Sequence, residues 1–198
     1  MPNNTFHNLS DEKKENIFIA AYKMFNNNKY EDVTIRDIIK EANIPIGSFY
    51  RYFKDKDDLY IYMLKLGENK IYNELKDKLS TSMVIGSASV DLIKSVLTED
   101  EYALDSTFSD VPESLLSKYY FHEFNDDIEK EFRKNLLKLK EENKLKDNVD
   151  FDFILHIYKT SMFNIILYFR EKNITSFEEK EKIKNIFFEE IFLKGITK

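Results

Sequence analysis

Between Thr34 and Lys56 the chain gathers side chains suited to gripping a polyanion. Thr34, Ser48, Tyr50 and Tyr52 carry hydroxyls, and Arg36, Arg51, Lys54 and Lys56 carry positive charge. Hydroxyl tips and cations of this kind bond phosphate oxygens. Gly47 would let a backbone come close to a base edge, Ser48 can donate or accept there, and Ile46 can meet a thymine methyl group. Thr34 and Lys56 fall at expected helix starts, where backbone N–H groups also favour a phosphate. The plainer reading is packing, and helical spacing weighs the two for the aromatic run. It puts Phe49 and Phe53 on one face as core and turns Tyr50 and Tyr52 to other faces. The chemistry expected of this stretch is non-covalent contact with a DNA duplex. Arg36 and Lys40 read first as solvated charges, with Arg36 a further candidate for a phosphate.

The elements needed to position these groups are short helices. With four Gly, three Pro and no sustained strand-like alternation, an all-α fold is expected. A first helix runs from Ser10 as N-cap to about Phe25, burying Phe18, Ala21, Tyr22 and Phe25. Thr34 with Asp37 has capping-box spacing and opens a second helix, with Ile35, Ile38, Ile39 and Ala42 as its apolar stripe. Asn43 suits the left-handed residue that ends a helix, and Pro45 suits the first turn of a third helix reaching Tyr52. Asp55 and Asp58 then open a long fourth helix toward Leu79, with Leu59, Tyr62, Met63 and Leu66 at i, i+3, i+4, i+7. Irregular stretches are expected at Ser80–Ser89 and Asp105–Pro112. Later helices are expected from Asn125 to about Asn143, from Phe151 to Arg170 and from Ser176 to Lys194.

The run from Thr34 to Phe53, followed by Lys54-Asp-Lys-Asp-Asp-Leu59, resembles the DNA-binding head of the TetR (tetracycline-repressor-like) family of transcriptional regulators. Phe25, Thr34, Ala42, Ile44, Gly47, Phe49, Tyr50, Tyr52, Phe53, Lys56 and Leu59 supply the elements of that family's pattern over about a quarter of the chain. The resemblance implies a three-helix head with a helix-turn-helix over residues 1–56 and a larger helical effector-binding and dimerisation body over 57–198. It also implies a homodimer built on roughly residues 151–194, reading a palindromic operator and released from it by a small-molecule effector. Two positions depart from the family. Pro45 stands where Ser or Thr is usual, and Ile46 where Lys is frequent, so base readout would lean on Ser48, Tyr50 and apolar contact.

Charge agrees with this division. The chain carries a formal charge of −6, but residues 1–56 hold nine Lys and Arg against eight Asp and Glu, while residues 57–198 hold 21 against 28. The acid lies away from the expected reading head. Cysteine is absent, which excludes disulfides, thiolate metal sites and cysteine nucleophiles. The polar first residues and the lack of a long uncharged apolar run argue for a cytoplasmic protein with no membrane partner.

Twenty of the 29 Phe and Tyr residues fall in residues 57–198, which suggests a roomy aromatic core. Phe153, Ile157, Met162, Ile165, Phe169, Phe177, Ile183, Phe187 and Ile191 offer more apolar surface than one buried stripe per helix requires, as a self-complementary interface would. The effector-pocket candidates are polar-tipped residues in apolar surroundings: Tyr72, Tyr102, Tyr119, His122, His156 and Tyr158. Each is also an ordinary core or surface residue. His122 with Glu123, Asp126 and Asp127 is read as a helix start and not as a metal site, and no cofactor is expected. An enzyme is the rival class, but no constellation of residues assembles a catalytic site for it. A chromosome-associated adaptor using the same head is a third reading.

Overall fold

The computed structural model describes residues 2–75 and 90–198. Their elements are α1 (Asn4–His7), α2 (Asp11–Asn27), α3 (Ile35–Glu41), α4 (Ile46–Tyr52), α5 (Lys56–Leu75), α6 (Val90–Val96), α7 (Glu99–Thr107), α8 (Glu113–His122), α9 (Asp126–Glu141), α10 (Phe151–Glu171) and α11 (Phe177–Ile186). A π-helical stretch, Phe187–Leu193, continues α11 into the single turn α12 (Lys194–Ile196). The fold is all-α, with no strand among the described residues beyond one isolated bridge between Leu145 and Thr197. The expected loop Ser80–Ser89 and helix end at Leu79 lie outside the described residues.

Helix ends follow local chemistry. Thr34 caps α3 in a reciprocal box: its hydroxyl accepts from Asp37 N at 3.2 Å, and Asp37 accepts from Thr34 N at 3.1 Å. Asn125, Asp150 and Ser176 cap α9, α10 and α11 through their side chains. Ser10 stands at the N-cap of α2 without such a bond. Asn43, Asn143 and Asn173 take positive φ of 50° to 54°. At Asn43 the two closing bonds run from Asn43 N to Lys40 O and from Ile44 N to Ile39 O, a Schellman end that stops α3 and starts the tight turn. Pro45 sits one residue earlier than its expected first-turn position, as the N-cap of α4. The Asp105–Pro112 stretch is less irregular than expected: α7 runs to Thr107 and a 3₁₀ turn covers Phe108–Asp110.

The chain divides into two compact units, residues 2–68 with 97–116, and residues 69–96 with 117–198. In the first, Phe6, Ile17, Ala21, Ile38, Phe49, Phe53, Leu59 and Ile61 are buried. The stripes are partly displaced from expectation. Ile35 and Ile39 are only half-buried, and Phe18 likewise, while Ile17 and Ala20 join the expected Ala21, Tyr22 and Phe25 in the α2 core. α5 is buried well around its circumference, with Tyr60, Ile61 and Leu64 joining Leu59 and Met63, because α7 and the 3₁₀ turn also belong to this unit. α1 was not expected; its Phe6 is fully buried, 4.8 Å from the Phe53 ring centre. The second unit has a core of Phe132, Leu136, Leu139, Leu145, Ile154, Leu155, Phe188 and Phe192.

Candidate nucleic-acid interface

α3, the turn at Asn43 and α4 form a helix-turn-helix, and α4 shows one clean inner and one clean outer face. Phe49 is fully buried, whereas Tyr50 is 53% exposed and Ile46 47% exposed. The inward ring of Phe49 stands edge-on to the exposed ring of Tyr50, 5.6 Å away. Pro45, Gly47 and Arg51 are exposed and Ser48 is half-exposed. A Cβ built on Gly47 would meet no atom of the protein within 4 Å. Nothing inside the fold therefore requires glycine there, and the missing side chain opens space only on the outer side. Arg51 Nη2 donates to Ser48 Oγ at 3.2 Å, so a cation and a hydroxyl one helical turn apart form a single polar unit.

Tyr52 lies elsewhere than its spacing suggested. It is 9% exposed and packs edge-on against Phe6 at 6.0 Å, so it belongs to the core's flank. The backbone N–H of Asn3 donates to Tyr52 O at 2.8 Å, and Asn3 Nδ2 donates to Arg51 O at 3.2 Å. The segment before α2 thus satisfies carbonyls at the end of α4 that the short helix leaves open. The only sequence signal for this arm was one Phe among polar residues.

Thr34 and Lys56 are also more occupied than a free contact would be. The Thr34 hydroxyl donates to Asp37 Oδ2 at 2.6 Å, and that hydrogen bond holds the Asp37 carboxyl below its usual range. Lys56 Nζ donates to Tyr30 O at 2.6 Å and Val33 O at 2.7 Å. Burial lowers its pKa, opposed by Asp57, Glu31 and Asp32. Tyr30 in turn donates to Asp57. Burial and that bond push its phenol well above the ordinary value. Lys54 and Arg36 remain exposed on the surface, and Lys54 N donates to Asp58 Oδ2 at 3.1 Å.

The effector candidates are not brought to one place. Tyr119 and Tyr158 both pack on Phe124, at 5.6 and 6.2 Å, and Tyr158 also meets Phe132 and Phe188. His122 and His156 are exposed, Tyr72 lies in the last described turns of α5, and Tyr102 belongs to the first unit. Among the described residues no group of three or more His, Asp or Glu could hold a metal ion, and no helix is long and apolar enough to cross a membrane. In the second unit a groove of about 370 Å³ runs between α10 and the C-terminal elements, with Val149, Phe153, Ile157, Phe187, Ile191 and Ile196 in its walls. Phe153 and Ile191 there are 63% and 61% exposed.

Residues 17–63, spanning α2 to the middle of α5, match the sequence model of the tetR family of bacterial regulatory proteins. An HTH-type transcriptional regulator of Staphylococcus aureus is 29% identical over 85 residues, 41% of this chain and 46% of that protein. HbdR, an HTH-type transcriptional regulator of an Aromatoleum species, is 40% identical over 57 residues, 29% of this chain and 25% of that protein. The chain thus spans less than half the length of these curated relatives. The fold extends the likeness. The fatty acid degradation regulator FadR of Bacillus halodurans superposes with a TM-score of 0.55 at 14% identity over 91% of this chain and 96% of that one. SmeT, repressor of the Stenotrophomonas maltophilia multidrug efflux pump SmeDEF, gives 0.54 at 14% identity over 93% and 90%. The helix-turn-helix and its flanking helices are the part of this all-α fold that the sequence match covers. The match to the tetR family of bacterial regulatory proteins covers residues 17–63, and beyond them the likeness to the solved structures is one of fold.

Proposed function

We propose that the protein is a cytoplasmic, homodimeric, DNA-binding transcriptional repressor whose reading helix is α4. The observation that carries this is the outer face of α4: Ile46, Gly47, Ser48, Tyr50 and Arg51 are turned to solvent on a helix whose inner face is locked by Phe49 and Phe53. Such a helix can enter a major groove with its first turn toward the bases. Ile46 and Ser48 would meet base edges, and Tyr50, Arg51, Lys54 and Arg36 would meet phosphates. Tyr52, Thr34 and Lys56 serve this surface from within, by packing, capping and tying the loop before α3. The functional division is a reading head over residues 1–56 and a sensing and pairing body over 57–198. A dimer joined through roughly residues 151–194 would cover the exposed Phe153 and Ile191 and place two heads in successive grooves, roughly 34–36 Å apart for half-sites one turn apart.

A small-molecule effector in the body would release the operator by biasing α5, whose residues run through both compact units. The aromatic group around Tyr119, Phe124 and Tyr158 supports a body site for it, and the likeness to transcriptional regulators favours a regulator's role over an enzyme's. Selection of random duplexes by the purified protein, followed by sequencing, tests the reading. An enriched inverted repeat is expected, and an unenriched pool would overturn it.

A further inference from the structure

The first unit contains a cavity of about 590 Å³ between the end of α2, α5 and the 3₁₀ turn after α7. That volume is within the range of small-molecule sites. Two buried polar atoms on its lining residues make no hydrogen bond: the Tyr60 hydroxyl and Asn26 Oδ1. Tyr60 is only 2% exposed. The Thr107 hydroxyl lies against the Tyr60 oxygen and acts on its pKa, but its proton is given to the carbonyls of Ala103 at 3.2 Å and Leu104 at 3.1 Å. Asn26 Nδ2 is held by Asp100, at 3.1 Å from its carbonyl and 3.3 Å from its carboxylate, which leaves the amide oxygen unused. Buried polar atoms are normally satisfied, and here an amide oxygen that can only accept and a hydroxyl that can accept as well as donate are both unmet in one cavity.

The surroundings say which donor fits. Phe25, Tyr30 and Tyr60 supply aromatic faces and Val111 an apolar wall. Asp110 and Glu31 line the same cavity, against Lys29 as the one cation among its lining residues. Burial raises the Tyr60 pKa, the Thr107 hydroxyl opposes the rise, and nearby Asp105 and Asp110 add to it. We propose that this cavity binds a small organic cation, a protonated primary amine on an apolar body, with its N–H groups given to Asn26 Oδ1 and the Tyr60 oxygen. The aromatic rings add cation–π attraction. The site is separate from the effector site proposed above for the body, and it requires no DNA.

The test is calorimetric titration of the full-length chain, without DNA, with 2-phenylethylamine and with its neutral counterpart 2-phenylethanol near neutral pH. One amine per chain is expected to bind, with the alcohol at least about tenfold weaker, since it lacks the charge that Asp110 and Glu31 favour. Tyr60→Phe keeps the ring and removes an unpaired hydroxyl, so it should fold as well as the parent and bind the amine about fivefold more weakly. Asp110→Asn should weaken the amine and leave the alcohol unchanged. No binding of the amine, equal binding of amine and alcohol, or an unaltered affinity in Tyr60→Phe would each overturn the proposal. Because no operator enters the titration, its failure and a failure of the DNA-binding reading are separate results.

Discussion

Lys56 Nζ donates to the carbonyl of Tyr30 at 2.6 Å and stands 4.1 Å from the centre of the same residue's ring. With its second bond to Val33 O, the ammonium group fastens the connection between α2 and α3 to the start of α5. A cation at a helix start in a DNA-binding head would ordinarily be assigned to a phosphate. Here two of its three donors are spent inside the fold.

Lys56→Met is therefore expected to act on stability. Losing two charge-assisted hydrogen bonds should cost about 1–3 kcal/mol, read as a lower urea midpoint with an unchanged slope. The salt dependence of DNA binding should stay as it is. A phosphate contact would instead lower the salt slope by about one.

The two tyrosines of α4 should separate. Tyr50→Ala removes an exposed hydroxyl and ring and is expected to weaken operator binding about tenfold, or about 1.4 kcal/mol, in a fluorescence anisotropy titration. Tyr52→Phe keeps the ring that packs on Phe6 and should leave the affinity within about twofold. A reversed pattern would mean that α4 meets DNA through another face.

Helical geometry explains why sequence spacing alone did not divide them. Position 52 is three residues after Phe49, about 300° around the helix, and so only about 60° from the core direction, whereas position 50 is about 100° away on the other side. Tyr52 was near enough to the core to be claimed by Phe6, and Phe6 could not be foreseen in a polar arm of too few residues to show any period. Where the signal was local it carried through. The Thr34–Asp37 box, the Asn43 turn, the Asn125 start and the ends of α10 follow from caps and backbone preferences that act within four residues. The role of Lys56 depends on carbonyls 23 and 26 residues away, and no spacing rule reaches that far. The scatter of His122, His156 and Tyr102 away from the pair Tyr119 and Tyr158 has the same cause, since residue type does not say which long-range neighbours a side chain will meet.

The apolar surface of the second unit gives a prediction on assembly. Phe153→Glu combined with Ile191→Glu places two charges where the proposed partner copy would bury them, so sedimentation should show a monomer at concentrations at which the parent is a dimer. Helical content should persist, because both side chains are more than half exposed. An unshifted dimer would move the interface elsewhere.

Alkaline pH should unfold the protein by a definite route. Tyr22, Tyr30 and Tyr60 are all pushed above the ordinary tyrosine value of 10.0, each chiefly by burial. The folded state thus favours their neutral forms, and an unfolded chain releases those protons near pH 10. The stabilisation is complete below that value and is lost as the pH climbs above it. The urea midpoint should fall steadily from about pH 9.5 upward, and Tyr22→Phe should flatten the fall. A midpoint independent of pH in that window would contradict the burial of these phenols.

The most direct test of the account is an anisotropy titration of a selected inverted-repeat duplex with the parent protein and with a variant carrying Ser48→Ala, Tyr50→Ala and Arg51→Ala. All three side chains lie on the outer side of α4, so the variant should keep its circular dichroism spectrum and oligomeric state while losing at least about a hundredfold in affinity. A variant that still bound the duplex as tightly as the parent would show that α4 does not read DNA.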